Sequence, residues 1–378
     1  MSSLKDILTS KITVPKISAL DWLHQSTSWP LLDVRSEGEF FDGHIPGSIS
    51  GPILTNEERH QVGLCYKNQG QEAAITLGMS LVEPHKKQRI SDWLRHFSTN
   101  VAITCWRGGL RSRFASGWLD EVAGERLKIV QITGGYKAIR RHLLTTLNSK
   151  REMWVLGGMT GSGKTALLRD LKNEKDISSE QILDLEGIAL HRGSSFGNVL
   201  SEKGEKIEQP RQQTFENSVA MQLFKAEGPI VLENESTLIG KVFIPQLFKA
   251  QMKSAPLILL ETPLQERIEA IFNEYVKIPL ESNCPIEKLW LNLESNLKAL
   301  EKRLGGQETQ KCLNLMQAGL KNPINLELQA PWIELLLVQY YDKTYAHSFG
   351  RCKHSVVFKG NKTEVKNWLK ENMAKRLK

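Results

Sequence analysis

Two hydrophobic patterns alternate along the first 260 residues. Short, nearly continuous apolar runs occur at 30–34 (PLLDV), 101–105 (VAITC) and 128–132 (KIVQI). Between and after them the apolar positions follow a helical period, as with Leu110, Phe114, Trp118 and Val122. Strands interleaved with helices predict a parallel sheet. A second series opens at 153–158 (MWVLGG) and continues through 181–186 (QILDLE), 229–234 (PIVLEN) and 256–261 (PLILLE). The pattern predicts two α/β domains, 1–148 and 149–378. Their boundary falls where the helix GYKAIRRHLLTTL gives way to the polar NSKRE. No Gly/Ser linker separates them, so they are expected to abut.

Beyond residue 284 the period becomes helical throughout. Ile286, Leu289, Leu293, Leu297, Leu300 and Leu304 recur at three- and four-residue steps, with Pro285 at the start and Gly305-Gly306 as a stop. Further helices are expected from about 307 and from about 331 (PWIELLLVQYYDKTY). Together they form a C-terminal helical appendage to the second domain, and the leucine stripe reads as packed core. There is no internal repeat or low-complexity tract.

The length of 378 residues fits two domains, and 40% hydrophobic with 24% charged residues fits globular ones. No run is long and apolar enough for a membrane span, and MSSLKDILTSKITVPK lacks the apolar segment of a secretory signal. A soluble, cytoplasmic protein without a membrane partner is expected. Five cysteines (Cys65, Cys105, Cys284, Cys312, Cys352) without C-x-x-C spacing give neither a disulfide framework nor a zinc site, so no metal-ligand set is predicted from them. The net charge of +8 is uneven. Residues 84–142 hold twelve Lys or Arg against four Asp or Glu, and residues 351–378 hold nine against two. Two concentrated basic segments point to a polyanion, with nucleic acid the leading partner; a solvated helix and surface face are the plain alternative.

Two segments carry chemistry. In VAITCWRGGLRSRF, Cys105 ends an apolar strand, and a helical pattern starts near Leu110. A strand-to-helix loop aims several N–H groups at one point, and the helix dipole adds positive potential. A thiol in that cradle, among Arg107, Arg111 and Arg113, is expected to ionise and to meet an anionic donor, while Gly108 and Gly109 admit close backbone approach. Such a cysteine suits a covalent carrier. The second segment, Gly158-Met-Thr-Gly161-Ser-Gly163-Lys164-Thr165, sits between a strand and the helix KTALLRDLK and satisfies the P-loop pattern in its required context. Its N–H groups and Lys164 would hold a diphosphate, and Thr165 would reach a metal ion, so Mg2+ is a candidate here. Glu233 or Glu235 is the candidate strand-end acid. In DLEGIALHRGSSFG, Arg192 is placed to meet phosphate and Asp184 or Glu186 to meet a metal ion or hydroxyl; His191 reads as structural.

The segment LLDVRSEGEFFDGHIPGSISGP, with Asp33, Arg35, Glu39, Phe40, Gly43, His44 and Pro46, resembles the entry motif of rhodanese domains. That resemblance makes Cys105 the sulfur or selenium carrier and leaves Asp33, Arg35 and His44 structural. The spacing Cys-x5-Arg is the longer loop, also found in cysteine phosphatases, and its width suits selenium or phosphate.

CWRGGLRS, GGYKAIR, GGMTGSGKT, DLEGIALHRGSSFG, VLENESTLIG, YYDKTY and VVFKG together resemble the bacterial tRNA 2-selenouridine synthase family. The resemblance spans about residues 30–360. It departs at Asn234 in the strand-end acidic run and at Thr237, where an arginine is expected. It implies conversion of wobble 2-thiouridine to 2-selenouridine through S-geranylation from geranyl diphosphate, followed by selenium transfer from selenophosphate at Cys105. The implied partners are tRNA, gripped at its anticodon arm, and these two co-substrates, with no tightly bound cofactor. The P-loop is then expected to hold the diphosphate of the prenyl donor, and a base is expected to stack on Trp106 or Tyr136. Cys65, in the Gly-rich GLCYKNQG, is a candidate second thiol on a surface loop. The rival readings are a P-loop kinase or ATPase with a regulatory rhodanese domain, favoured by Glu261-Thr-Pro-Leu-Gln-Glu-Arg267, a cysteine phosphatase, and a non-catalytic tRNA-binding or redox-sensing module.

Overall fold

The computed structural model describes residues 14–175, 177–349 and 355–375. Cys352 and the two ends of the basic C-terminal run lie outside the described residues. The chain divides into two compact units, one of residues up to 147 together with 211–221, the other of 148–210 together with 222 onward.

The first unit is built on a five-stranded, wholly parallel sheet. Its strands are β1 (Lys16–Ser18), β2 (Leu31–Asp33), β3 (Ile49–Ser50), β4 (Asn100–Thr104) and β5 (Lys128–Thr133), in the order β1-β5-β4-β2-β3. β4 is central, and Val101, Ala102 and Ile103 are wholly buried, which is why it reads as an uninterrupted apolar run. Helices bury Trp93, Phe114, Trp118 and Leu119 against it. Asp33 and Arg35 form a buried pair whose guanidinium also donates to Gly43 O (2.8 Å) and lies 3.8 Å from the Tyr136 ring centroid. Removing either partner would strand a buried charge.

Residues 211–221, most of them in the helix Gln212–Lys225, pack with the first unit. Asn217, wholly buried, donates to His44 O (2.8 Å) and Tyr136 OH (3.1 Å), and Arg140 reaches Asn217 Oδ1 (2.7 Å) and Glu216 Oε2 (2.5 Å). These contacts are polar, so hydrophobic periodicity carries no sign of them.

The second unit also has a parallel five-stranded sheet, ordered β12-β11-β6-β8-β7. Its strands are β6 (Met153–Gly158), β7 (Ile182–Leu183), β8 (Ile230–Glu233), β11 (Leu257–Leu260) and β12 (Val356–Gly360), with a short antiparallel pair, β9 (Leu238–Ile239) and β10 (Val242–Phe243), beside it. All six residues of the central β6 are buried. The appendage has its own core, in which the leucine stripe packs on Phe272, Met316, Trp332 and Leu336. The chain beyond it is not helical throughout, as the sequence suggested. VVFKG returns as edge strand β12, and the helix Lys362–Lys375 places Val365, Leu369 and Met373 against Trp154, Leu156 and Leu167.

That terminal helix also changes the charge picture. Lys362 pairs with Asp170 (2.7 Å), and Lys366 and Lys370 both pair with Glu174 (2.6 Å each), holding that carboxyl down at about 2. The described part of the C-terminal basic run is therefore largely compensated within its own unit. Because Leu369 is wholly buried under the sheet, Leu369→Ala is expected to cost about 3 kcal/mol, read as a lower urea midpoint of the second unit.

Candidate active sites

Both chemical segments lie at the carboxyl end of a central parallel strand, where a loop precedes a helix N-terminus. Cys105 follows β4 directly and is 3% exposed. Its sulfur accepts from Gly109 N–H (3.3 Å), and Ser112 Oγ lies 3.2 Å away. Gly109 caps the helix Leu110–Ala123, so the dipole of a 14-residue helix points at the thiol. Gln131, from β5, holds the loop from beneath through Gly108 O (3.1 Å), Gly109 O (3.2 Å) and Ser112 Oγ (2.8 Å). A second loop braces it from the side. Tyr136 N–H donates to Cys105 O (2.9 Å) and Lys137 N–H to Trp106 O (3.1 Å). The approach is so close that a Cβ on Gly135 (φ +60°) would lie 2.1 Å from Cys105 O. The N–H groups of Trp106, Arg107 and Gly108 enter no backbone hydrogen bond among the described residues.

The arginines divide. Arg107 is exposed beside the loop. Arg111 is instead committed to Glu39 by two hydrogen bonds (2.6 and 3.2 Å), and Arg59 joins the same carboxylate at 2.9 Å. Burial opposes charge on Arg111, but Glu39 outweighs it and raises the guanidinium pKa; burial likewise opposes Glu39, and Arg111 and Arg59 hold its carboxyl low. Arg111 thus supplies positive potential while positioned by Glu39. Of the two aromatics, Tyr136 is wholly buried and Trp106 is 39% exposed, so only Trp106 offers surface to a base. His44 stacks on Phe40 and hydrogen-bonds its carbonyl (3.1 Å), as a structural residue does. Cys65 lies within the helical segment Asn56–Val82, not on a loop.

In the second unit, Gly161 (φ +78°) and Gly163 (φ +84°) give the loop after β6 its left-handed turns, and the helix Lys164–Lys172 follows. Lys164 Nζ rests on Gly158 O (2.9 Å) and Met159 O (3.2 Å). Desolvation lowers its pKa, partly countered by Glu235 and Glu186. Thr165 Oγ1 donates to Glu186 Oε2 at 2.9 Å. Burial, then the charge of Glu235, push Glu186 up to about 8. Asp184 is occupied elsewhere, capping the helix Leu185–Ala189 by accepting from Gly187 N–H (2.7 Å). Glu235 lines the cavity of about 530 Å³ with Lys164, Thr165, Glu186 and Arg192, whereas Glu233 lies beneath it, accepting from Leu185 N–H (3.1 Å) with its Oε1 unpaired. Arg192 borders this space, paired with Glu274 (3.0 Å) and 5.0 Å from the Tyr275 ring centroid. Among the described residues no cluster of three or more His, Cys, Asp or Glu is arranged to hold a metal ion by itself.

Three further residues border or brace this site, none of which the sequence had assigned a role in it. Arg267, 3% exposed, donates to Thr160 O (2.9 Å) and is clamped by Asp342 (2.5 and 3.2 Å), so the motifs ETPLQER and YYDKTY brace the phosphate loop. Tyr275 and Tyr341 sit on two π-helical turns, Asn273–Lys277 and Leu337–Tyr341. Tyr275 OH meets Ser194 Oγ at 3.0 Å, and burial pushes both phenols up. Beyond them lies an apolar cavity of about 30 Å³ walled by Phe196, Ile271, Leu293, Trp332 and Leu336. A π-turn leaves no hydrophobic signature distinct from the helix around it.

Fold and sites define a two-part protein, a rhodanese-like domain joined to a P-loop domain with a helical appendage. Known proteins share both parts. A family model described as "Rhodanese-like domain" matches residues 18–142, and one described as "tRNA 2-selenouridine synthase AAA domain" matches residues 151–376. Proteins named tRNA 2-selenouridine synthase are similar along nearly their whole length. That of Marinobacter nauticus is 38% identical over 359 residues, covering 90% of this chain and 93% of its own; that of Shewanella halifaxensis is 37% identical over 364, covering 90% and 94%. The relative from Sulfurovum sp. is 36% identical over 361 residues, covering 90% and 94%. The chain belongs to the tRNA 2-selenouridine synthase family.

Gly135→Ala forces a Cβ into the Cys105 loop and is expected to cost about 3 kcal/mol, seen as a lower urea midpoint together with altered alkylation of Cys105. A second expectation concerns pH. Unfolded, a glutamate loses its proton near 4.5, whereas folded Glu186 keeps it to about 8. The folded state therefore loses stability as pH rises through that window. The ligand-free protein should melt lower at pH 8 than at pH 5.5, and Glu186→Gln should flatten the difference in a thermal scan.

Proposed function

We propose that this chain converts 2-thiouridine at the wobble position of tRNA to 2-selenouridine in two steps, one at each centre. The reading is carried by the presence in one chain of a thiol cradle and a diphosphate cradle, together with membership of this family. In the first step the 2-thio sulfur attacks C1 of geranyl diphosphate. The C–O bond breaks, and diphosphate leaves with its electron pair. The loop N–H groups and Lys164 receive that diphosphate. Ile271, Tyr275, Ile278 and Tyr341 line the larger cavity beside Lys164 and give the prenyl end of the donor apolar surface to lie on.

Mg2+ fits this cradle, since it needs only one or two carboxylates beside phosphate and water. The Thr165 hydroxyl and the Glu186 carboxylate, already in contact, would hold it, and its charge would offset the leaving group's. Glu235 stands beside them at the cavity wall.

In the second step selenium replaces the geranylthio group. Selenophosphate is a small oxyanion of the kind the Cys105 loop is built to receive, and Cys105 handles the selenium. Overall, S-geranyl-2-thiouridine, selenophosphate and water give 2-selenouridine, geranylthiol and phosphate. The C2–S and P–Se bonds break, C2–Se and P–O bonds form, water supplies the phosphate oxygen and the thiol proton, and there is no net oxidation or reduction. Exposed Trp106 offers a stacking face to the base, and Arg107 a contact for the tRNA backbone at the anticodon arm. The setting of this reaction is the cytoplasm.

The test is nucleoside mass spectrometry of tRNA incubated with the protein, geranyl diphosphate and selenophosphate. Cys105→Ser should lose the selenium product by at least ~100-fold and retain the geranylated nucleoside. Lys164→Ala should lose geranylation to a similar degree. Undiminished selenation by Cys105→Ser, or undiminished geranylation by Lys164→Ala, overturns the assignment of that step, and tRNA-independent ATP turnover would favour the kinase reading instead.

A further inference from the structure

The helical segment Asn56–Val82 is the longest element of the first unit, yet of its 27 residues only Ala74 and Val82 are buried. Gly70 (φ +86°) breaks it into two arms. The arms fold back on each other, because a side chain at Gly78 would meet Val62 Cγ2 at 3.6 Å. Between these arms and the helix that follows the Cys105 loop lies a cavity of about 920 Å³. That is near the upper end of the ~300–1,000 Å³ range of small-molecule sites. A centre that received only a small oxyanion would have no use for it.

The lining is sorted by chemistry. Ile53, Phe114 and Trp118 are buried in its floor, and Val62, Ile75 and Met79 line it from the arms. Arg59, Lys67 and Arg107 are its exposed basic members. Arg107 of the Cys105 loop and Leu110 and Arg111 of the turn that follows also border it, so the cavity adjoins the loop that carries the thiol.

On the function proposed above, the base presented to Cys105 carries a geranylthio group. Its hydrocarbon chain must lie within a few bonds of the carbon under attack, and water is a poor host for it. We propose that the cavity under the Asn56–Val82 arms holds this chain, seating the thioether sulfur beside Cys105 and receiving geranylthiol when it leaves. The charge distribution selects the tRNA-borne chain over free geranyl diphosphate. Arg59 and Arg111 share one carboxylate, Glu39, at 2.9 and 2.6 Å, and are held by it rather than free to converge on a diphosphate. Exposed Lys67 and Arg107 suit the single phosphates of an RNA backbone.

The experiment supplies full-length protein and selenophosphate with tRNA carrying S-geranyl or S-dimethylallyl 2-thiouridine and follows selenation by nucleoside mass spectrometry. At about 0.8 kcal/mol per buried methylene, the five extra carbons of geranyl should make the wild-type protein prefer it by up to about 1,000-fold in kcat/KM. Ile75→Trp and Met79→Trp, which fill the cavity, should each lower that preference below about 5-fold, chiefly through a higher KM for the geranyl substrate, with an unchanged urea midpoint showing that the variant is folded. A preference absent in the wild type, or unchanged in both variants, overturns the inference while leaving the two-step function standing. Failure to convert either S-alkylated tRNA overturns both. Binding of free geranyl diphosphate to Lys164→Ala protein that disappears on adding Ile75→Trp would assign the cavity to the donor and overturn the inference as well.

Discussion

The approach of two backbone loops at the end of β4 is the constraint on which the first unit depends. Cys105 is useful only if its loop keeps N–H groups turned toward the sulfur, and such a loop cannot satisfy itself. Tyr136 and Lys137 supply the missing donors to its carbonyls, Gln131 closes it from below, and Gly135 leaves the space this requires. Tyr136 is held in turn by Asn217 and Arg35. The thiol is thus positioned by residues from five separate stretches of chain, most of them polar and buried. A network of this kind fixes one arrangement, because each unsatisfied member would be costly in a medium of low dielectric.

The two centres solve opposite electrostatic problems. Near Cys105, Arg111 and Arg59 share the Glu39 carboxylate, which fixes both guanidinium groups in place. Around Lys164, carboxylates crowd together out of water, and burial above all raises Glu186 and Glu235, with the charge of Glu235 adding to the rise at Glu186.

Most of the fold was legible in the sequence because parallel strands buried on both faces leave continuous apolar runs. All seven runs identified from the pattern are strands, and the leucine stripe is core. The P-loop and the rhodanese entry motif were legible because their spacings are fixed by backbone geometry. The rest was hidden for physical reasons. β1, β3 and β12 are short edge or near-edge strands with exposed positions, so their pattern is weak. The packing of 211–221 with the first unit rests on hydrogen bonds. Arg111 looked like an anion ligand because Glu39, its partner, lies 72 positions away in sequence. The choice between Trp106 and Tyr136 turned on burial alone, which local sequence does not encode.

The clamp of Arg267 by Asp342 joins distant parts of the second unit into one mechanical piece. Arg267 grips the carbonyl of Thr160 inside the phosphate loop, and Asp342 directly follows the π-turn that carries Tyr341. A rotation of that turn is therefore transmitted through a rigid, planar guanidinium to the loop itself. The tyrosine at the cavity wall and the backbone of the phosphate loop therefore answer to the same lever.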